Sequence, residues 1–146
     1  MGRLSQARSP VREERLKEII QANAEELRVL HARIPDTLKL RNRDTEGQDK
    51  WKAACKEFHE RYDELAFPGG YGDALERIAA SEPEALEAAL CFLEIRPYFF
   101  RSGYMYKDIL RKVKRSALTP QQASRLENIH AAYEQYRVQR RRASGA

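Results

Sequence analysis

Apolar residues recur along the chain at spacings of three and four, the mark of helices buried on one side. Leu16, Ile20, Asn23, Leu27, Leu30 and Ile34 form the first stripe, a heptad seam with one polar member. Ser9 and Pro10 precede it as a cap and a first-turn proline, and Glu13 and Glu14 sit where the helix dipole favours anions. Pro35 is expected to end this helix, because the residue before a proline avoids helical geometry. The seam admits two partners. One is the next long helix of the same chain, which is the reading adopted; the other is a second copy in a coiled coil registered by Asn23.

A polar connection over 35–46 leads to a second stripe, Trp51, Cys55, Phe58, Tyr62 and Leu65, which predicts a helix over 47–66. Phe67, Pro68, Gly69, Gly70, Tyr71 and Gly72 then break the chain. Asp73 is expected to cap a short helix over 74–80. Ser81 and Glu84 have the spacing of a capping box, opening a helix to about Ile95 that turns Leu86, Ala89, Leu90 and Leu93 inward. Pro97 stops it. Tyr106, Ile109, Leu110 and Val113 stripe a fifth helix over 104–115. Thr119, Pro120 and Gln122 start a sixth, buried through Leu126, Ile129, Tyr133 and Tyr136. Strand-like alternation is absent. The expected fold is all-α: one domain of six helices, a long N-terminal helical hairpin followed by a compact bundle of shorter helices. Residues 1–8 are expected to be disordered, 9–138 to form the domain, and 139–146 to be a frayed basic tail.

Composition narrows this picture. A chain of 146 residues can bury a real core, and 42% apolar with 34% charged residues suits helices with one buried stripe and charged outer faces. No run approaches the roughly 20 apolar residues of a membrane span, and the N-terminus lacks a secretory apolar segment. A soluble cytoplasmic protein is therefore expected, with Cys55 and Cys91 as inward, reduced thiols rather than a disulfide. The net charge of +5 is unevenly spread. Residues 1–43 hold 10 cations and 6 anions, 44–94 hold 5 and 13, and 96–146 hold 12 and 3. An acidic middle and a basic end either neutralise each other in the fold or present opposed faces to partners.

Catalytic patterns fail on inspection. His59 and Asp63 have the i, i+4 spacing of metal ligands, but no further ligand motif accompanies them, and a plain exposed helix face is the better reading. Glu57, Glu60 and Glu64 form an outward acidic row beside Lys56 and Arg61, a solvated face first and a partner surface second. The three glycines at 69, 70 and 72 lack the spacing of a phosphate-binding loop. No enzyme, cofactor or metal is expected. The strongest candidate is the stretch 91–115, where Tyr98, Phe99, Phe100, Tyr104 and Tyr106 fall within nine positions among Arg96, Arg101 and five later cations. At least half of these rings are expected in the core. The others, with the arginines, are the residue types that dominate interface hot spots. The expected partner-binding residues are Arg96, Arg101, Tyr104, Lys107, Arg111, Lys112 and Arg115.

Two segments, WKAACKEFHERYDELAFPGGYGD at 51–73 and RPYFFRSGYMYKDILRKVKRSALTPQQ at 96–122, resemble small all-helical bacterial immunity proteins of polymorphic-toxin and contact-dependent-inhibition systems. The resemblance covers about a third of the chain. It implies a non-catalytic protein that binds and neutralises a toxin domain made by the same cell. A monomer or weak dimer that does not engage a membrane is expected. It transfers no binding residues. The alternatives are a nucleic-acid-binding helical protein that uses the basic C-terminal half, and a coiled-coil homo-oligomeric adaptor.

Overall fold

A computed structural model describes residues 10–145. They form six helices: α1 Pro10–Leu38, α2 Thr45–Ala66, α3 Ala74–Ala79, α4 Pro83–Ile95, α5 Ser102–Lys114 and α6 Pro120–Gly145. No strand occurs among them. The expected disorder of residues 1–8, and the cap expected at Ser9, lie outside the described residues.

The α1 seam turns inward. Ile20, Ala24, Leu27 and Leu30 are buried, with Leu16 and Ile34 at the margin. Ala24 rather than Asn23 fills the middle of the stripe, so its centre is apolar, and it packs on α2 of the same chain. Two ion pairs cross this antiparallel hairpin, Arg33–Glu57 at 3.2 Å and Arg61–Glu26 at 2.5 Å. The helix does not stop at Ile34: Pro35 lies inside its last turn. Having no N–H, the proline removes one i→i−4 bond from that turn, and the turn persists without it. The Thr37 hydroxyl also donates to the Arg33 carbonyl at 2.6 Å.

Asp44 starts α2 by accepting the Gly47 N–H at 2.7 Å, two residues earlier than the apolar stripe alone indicates. Gly47 is required there, since a Cβ would fall 2.1 Å from the Leu40 carbonyl oxygen. Phe58 and Leu65 are buried and Trp51, Cys55 and Tyr62 half-buried along the expected face. Both cysteines are free thiols.

The capping expectations for α3 and α4 fail and that for α6 holds. Asp73 makes no cap bond; its carboxylate instead accepts Arg77 Nε at 2.9 Å. Ser81 takes a left-handed φ of 59°, and its hydroxyl accepts the Ala117 N–H at 3.0 Å. Glu82, without a side-chain bond, then stands at the N-terminus of α4. At α6 the box closes as expected: the Thr119 N–H reaches Gln122 Oε1 at 2.9 Å, and the Gln122 N–H reaches Thr119 Oγ1 at 3.1 Å.

Helix α4 is the centre of the molecule. Ala85, Leu86, Ala88, Ala89, Leu90, Cys91, Phe92 and Leu93 are all buried, and α1, α3, α5 and α6 pack around it. Its polar side is used as well. Arg125 of α6, only 6% exposed, lies against Glu87 and Glu94 of α4 and Glu13 of α1. Its guanidinium binds Glu94 through Nε at 2.9 Å and Nη2 at 2.6 Å. Nη1 binds both Glu87 oxygens, at 2.9 and 3.0 Å. Lys17 Nζ adds contacts of 3.3 Å to Glu13 and to Glu94. Burial alone would raise the Glu94 carboxyl, but the hydrogen bonds and charge of Arg125, and then Lys17, hold it below its usual value. Burial, and after it the charge of Glu87, push the neighbouring Cys91 thiol up to about 12. That thiol is therefore protonated and unreactive at neutral pH.

Helix α6 extends through residues 139–145. Between Pro120 and Gly145 the sequence contains no proline or glycine, and Arg, Gln and Ala are good helix formers. Among the described residues no helix is long and apolar enough to cross a membrane.

Two outcomes test this packing. Phe58→Ala, which empties a buried ring site beside His31, Tyr62 and Phe100, should cost about 3–5 kcal/mol in denaturant unfolding. Arg125→Met should cost about 3–5 kcal/mol at pH 7, because it leaves three carboxylates facing one lysine. The pH dependence gives the sign. In the parent chain the stability from Glu94 is present above its unfolded pKa and is lost as pH falls through the depressed folded value. In Arg125→Met, only Lys17 is left to offset burial, the folded pKa rises, and stability should increase as pH is lowered from 7 towards 5.

Candidate functional site

The loop between α4 and α5, residues 96–101, is bracketed by two arginines in left-handed conformation. Arg96 has φ 54° and ψ 64°, and Arg101 has φ 68° and ψ 13°. Each costs about 1–2 kcal/mol for a residue with a Cβ, so the surroundings must hold them there. Three side chains do so by gripping the loop backbone. Arg28 Nη1 of α1 donates to the Tyr98 carbonyl at 2.6 Å, and the Tyr62 hydroxyl of α2 donates to the Phe100 carbonyl at 2.7 Å. Ser102 Oγ accepts the Phe99 N–H at 3.1 Å.

Residues 97–100 alternate under these restraints. Pro97 and Phe99 point inward and are buried. Phe99 meets Phe92 and Tyr62 edge-on at centroid distances of 6.4 and 6.1 Å. Tyr98 and Phe100 point outward, 77% and 45% exposed. Phe100 stacks on His31 at 4.7 Å and 20°. Tyr104, one turn into α5, is 66% exposed, and the Arg101 guanidinium lies 5.1 Å from its ring centre and 6.0 Å from that of Phe100. Only Phe99 and Tyr106 of the five clustered aromatics are buried, fewer than the half expected. The loop is too short to fold all five inward, and its alternation divides them.

Helix α5 continues this surface. Ser102, Met105, Tyr106, Ile109, Leu110 and Val113 are buried on one side. Tyr104, Lys107, Arg111 and Arg115, at spacings of three and four, are exposed on the other. Arg111 pairs within the helix with Asp108 at 3.2 Å. Among the described residues Lys107, Lys112, Lys114 and Arg115 make no ion pair; Lys112 is half-buried and the other three exposed.

Arg96 is the exception among the seven expected residues. It is half-buried, its guanidinium over the rings of Tyr136, Tyr106 and Tyr133 at 3.3, 5.2 and 5.3 Å. It joins α6 to the loop by cation–π contact and does not join the open surface. The structure thus brings together Arg101, Tyr104, Lys107, Arg111 and Arg115, with Lys112 at the edge. The acidic row lies elsewhere, on α2. Glu57 is bound to Arg33 at 3.2 Å and Glu60 to Lys56 at 3.6 Å, while Glu64 is exposed. Next to it, an open depression of about 810 Å³ is lined by Glu25, Glu26, Arg28, Arg33, Glu57 and Arg61, four of which are paired across the hairpin as Arg33–Glu57 and Arg61–Glu26.

Sequence reasoning missed Tyr98 and Phe100 as surface residues. Their signal was the alternation around Phe99 directly after Pro97. Among the described residues no three His, Cys, Asp or Glu side chains are grouped to hold a metal. No family model matches the chain, and neither a curated protein nor a solved structure is significantly similar to it.

Replacing Arg101 by glycine should remove the left-handed strain at the cost of a more flexible unfolded chain. Thermal unfolding should show stability unchanged or raised by up to about 1 kcal/mol. A loss above that would show that the Arg101 side chain, rather than the gripped backbone, sustains the loop.

Proposed function

We propose that this chain is a non-catalytic protein-binding module whose docking surface is the 97–101 loop together with the outer side of α5. One observation carries the reading. A strained loop is held rigid by Arg28, Tyr62 and Ser102, and it displays Tyr98, Phe100 and Tyr104 beside Arg101 and an open cationic stripe. Exposed aromatics with arginine are the anchors of protein interfaces, and rings already ordered before binding lose little entropy on docking. The cations Lys107, Arg111 and Arg115 select an acidic partner surface and speed its capture.

The biological setting we infer is that of an immunity protein, which binds and neutralises a toxin domain produced by the same cell. The support is the resemblance of segments 51–73 and 96–122 to such proteins. Two free thiols, one of them buried, suit the cytoplasm, where that encounter would take place. In this reading the acidic row of Glu57, Glu60 and Glu64 is secondary, since two of its members are already paired. The coiled-coil alternative loses its main support, because the α1 seam is buried within the chain.

The product of the reading frame adjacent to the coding sequence, titrated calorimetrically, should form a tight one-to-one complex. Arg111→Glu combined with Arg115→Glu should leave stability within about 1 kcal/mol and weaken that complex at least tenfold. Unchanged affinity would remove α5 from the interface, and absence of any complex would remove the immunity reading.

A further inference from the structure

The last third of α6 has no role in the surface described above. The helix has 26 residues, about 39 Å at 1.5 Å per residue. Its fully buried members, Arg125 and Ile129, both lie in its first half. Tyr133 and Tyr136 receive Arg96, and beyond them the helix is exposed save for the half-buried Val138. Residues 135–145 contain four arginines and no carboxylate. Arg137 contacts Glu134 at 3.4 Å, and Arg140 donates to the Tyr136 hydroxyl at 2.9 Å. Arg141 and Arg142 have no partner among the described residues.

We infer that this arm, Arg137, Arg140, Arg141 and Arg142, is a binding element for the phosphate backbone of double-stranded DNA. The geometry favours this polyanion over an acidic protein. At 100° per residue, Arg137, Arg140 and Arg141 lie on one side of the helix, while Arg142 lies roughly 140° away from Arg137. A flat acidic surface can meet only one of these sides. A duplex groove offers phosphates on both flanks of an inserted helix. The B-form major groove, about 12 Å wide, admits a helix of about 10–12 Å diameter. Ala143, Ser144 and Gly145 leave the tip slim. All four cations are arginine, whose planar fork grips phosphate through two hydrogen bonds. Arg137 and Arg141, like charges one turn apart, repel each other in the free helix, and bound phosphates would relieve that repulsion. Nothing in this arrangement reads bases, so the binding is to backbone and independent of sequence.

The test uses the full chain and a fluorescein-labelled 20-base-pair duplex, with anisotropy read from 50 to 200 mM salt. Four phosphate contacts predict a slope of log affinity against log salt of about −3.6. Arg140→Gln, Arg141→Gln and Arg142→Gln together should remove about 2.7 of that slope and weaken binding at low salt at least tenfold, with helicity by circular dichroism unchanged. Arg111→Glu with Arg115→Glu should leave the slope within about 1 unit of the parent value. That contrast separates this inference from the protein-binding role of α5, which stands or falls by its own complex. An unchanged slope in the arm variant overturns the inference. So does an equal loss in the α5 variant, which would reduce the effect to net charge. Tighter binding of the single strand of the same length would overturn the groove geometry. Displacement of the duplex by polyglutamate at equal charge concentration would make the occupant an acidic polypeptide instead.

Discussion

One guanidinium organises the packing of this protein. Arg125 sits where α6, α4 and α1 meet, and it binds Glu87, Glu94 and Glu13 at once. The cluster joins three helices whose apolar residues share one core. Its electrostatics are conditional. Desolvating these charges is costly, and the arrangement stands because each is met by an opposite charge at hydrogen-bond distance. With Arg125 in place, α6 has a defined rotation about its axis. Tyr133 and Tyr136 then come to lie around Arg96.

The 96–101 loop inherits its order from this packing. Arg96 leaves α4 in a left-handed turn and is received by the tyrosines of α6 and by Tyr106 of α5. Arg28 and Tyr62, contributed by the N-terminal hairpin, grip the next carbonyls. Helices from both halves of the chain therefore restrain six residues, and the strain at Arg96 and Arg101 is borne by contacts distant in sequence. Such a loop fixes the backbone positions of Tyr98 and Phe100 before any partner arrives. This is the physical reason to look for function at Tyr98, Phe100, Arg101 and Tyr104 rather than at the paired charges of the α1–α2 depression.

Much of the fold was legible from periodicity. The stripes on α1, α2 and α5 came out as buried sides because an amphipathic helix has only one favourable way to face a core. The Thr119–Gln122 box was legible because both its bonds are local. The Ser81–Glu84 box was not realised: Ser81 is used by Ala117, a residue on the far side of α5 in sequence. Pro35 did not end α1: it removes one backbone bond, yet the helix runs on to Leu38. Of the candidate surface, the outer side of α5 could be read from spacing alone. The internal use of Arg96 could not, because its three tyrosine partners come from two other helices.

The chain alone determined that the protein is helical, how many helices it has, and which side of most of them is greasy. These properties depend on residues three and four apart, and no distant contact is needed to set them. Tertiary structure alone decided which charges are available. Arg125 and Arg111 are the same residue type on amphipathic helices, yet one is enclosed by three carboxylates and the other faces solvent. That difference arises from how α6 and α5 are rotated against α4, and rotation is set by contacts between segments dozens of residues apart.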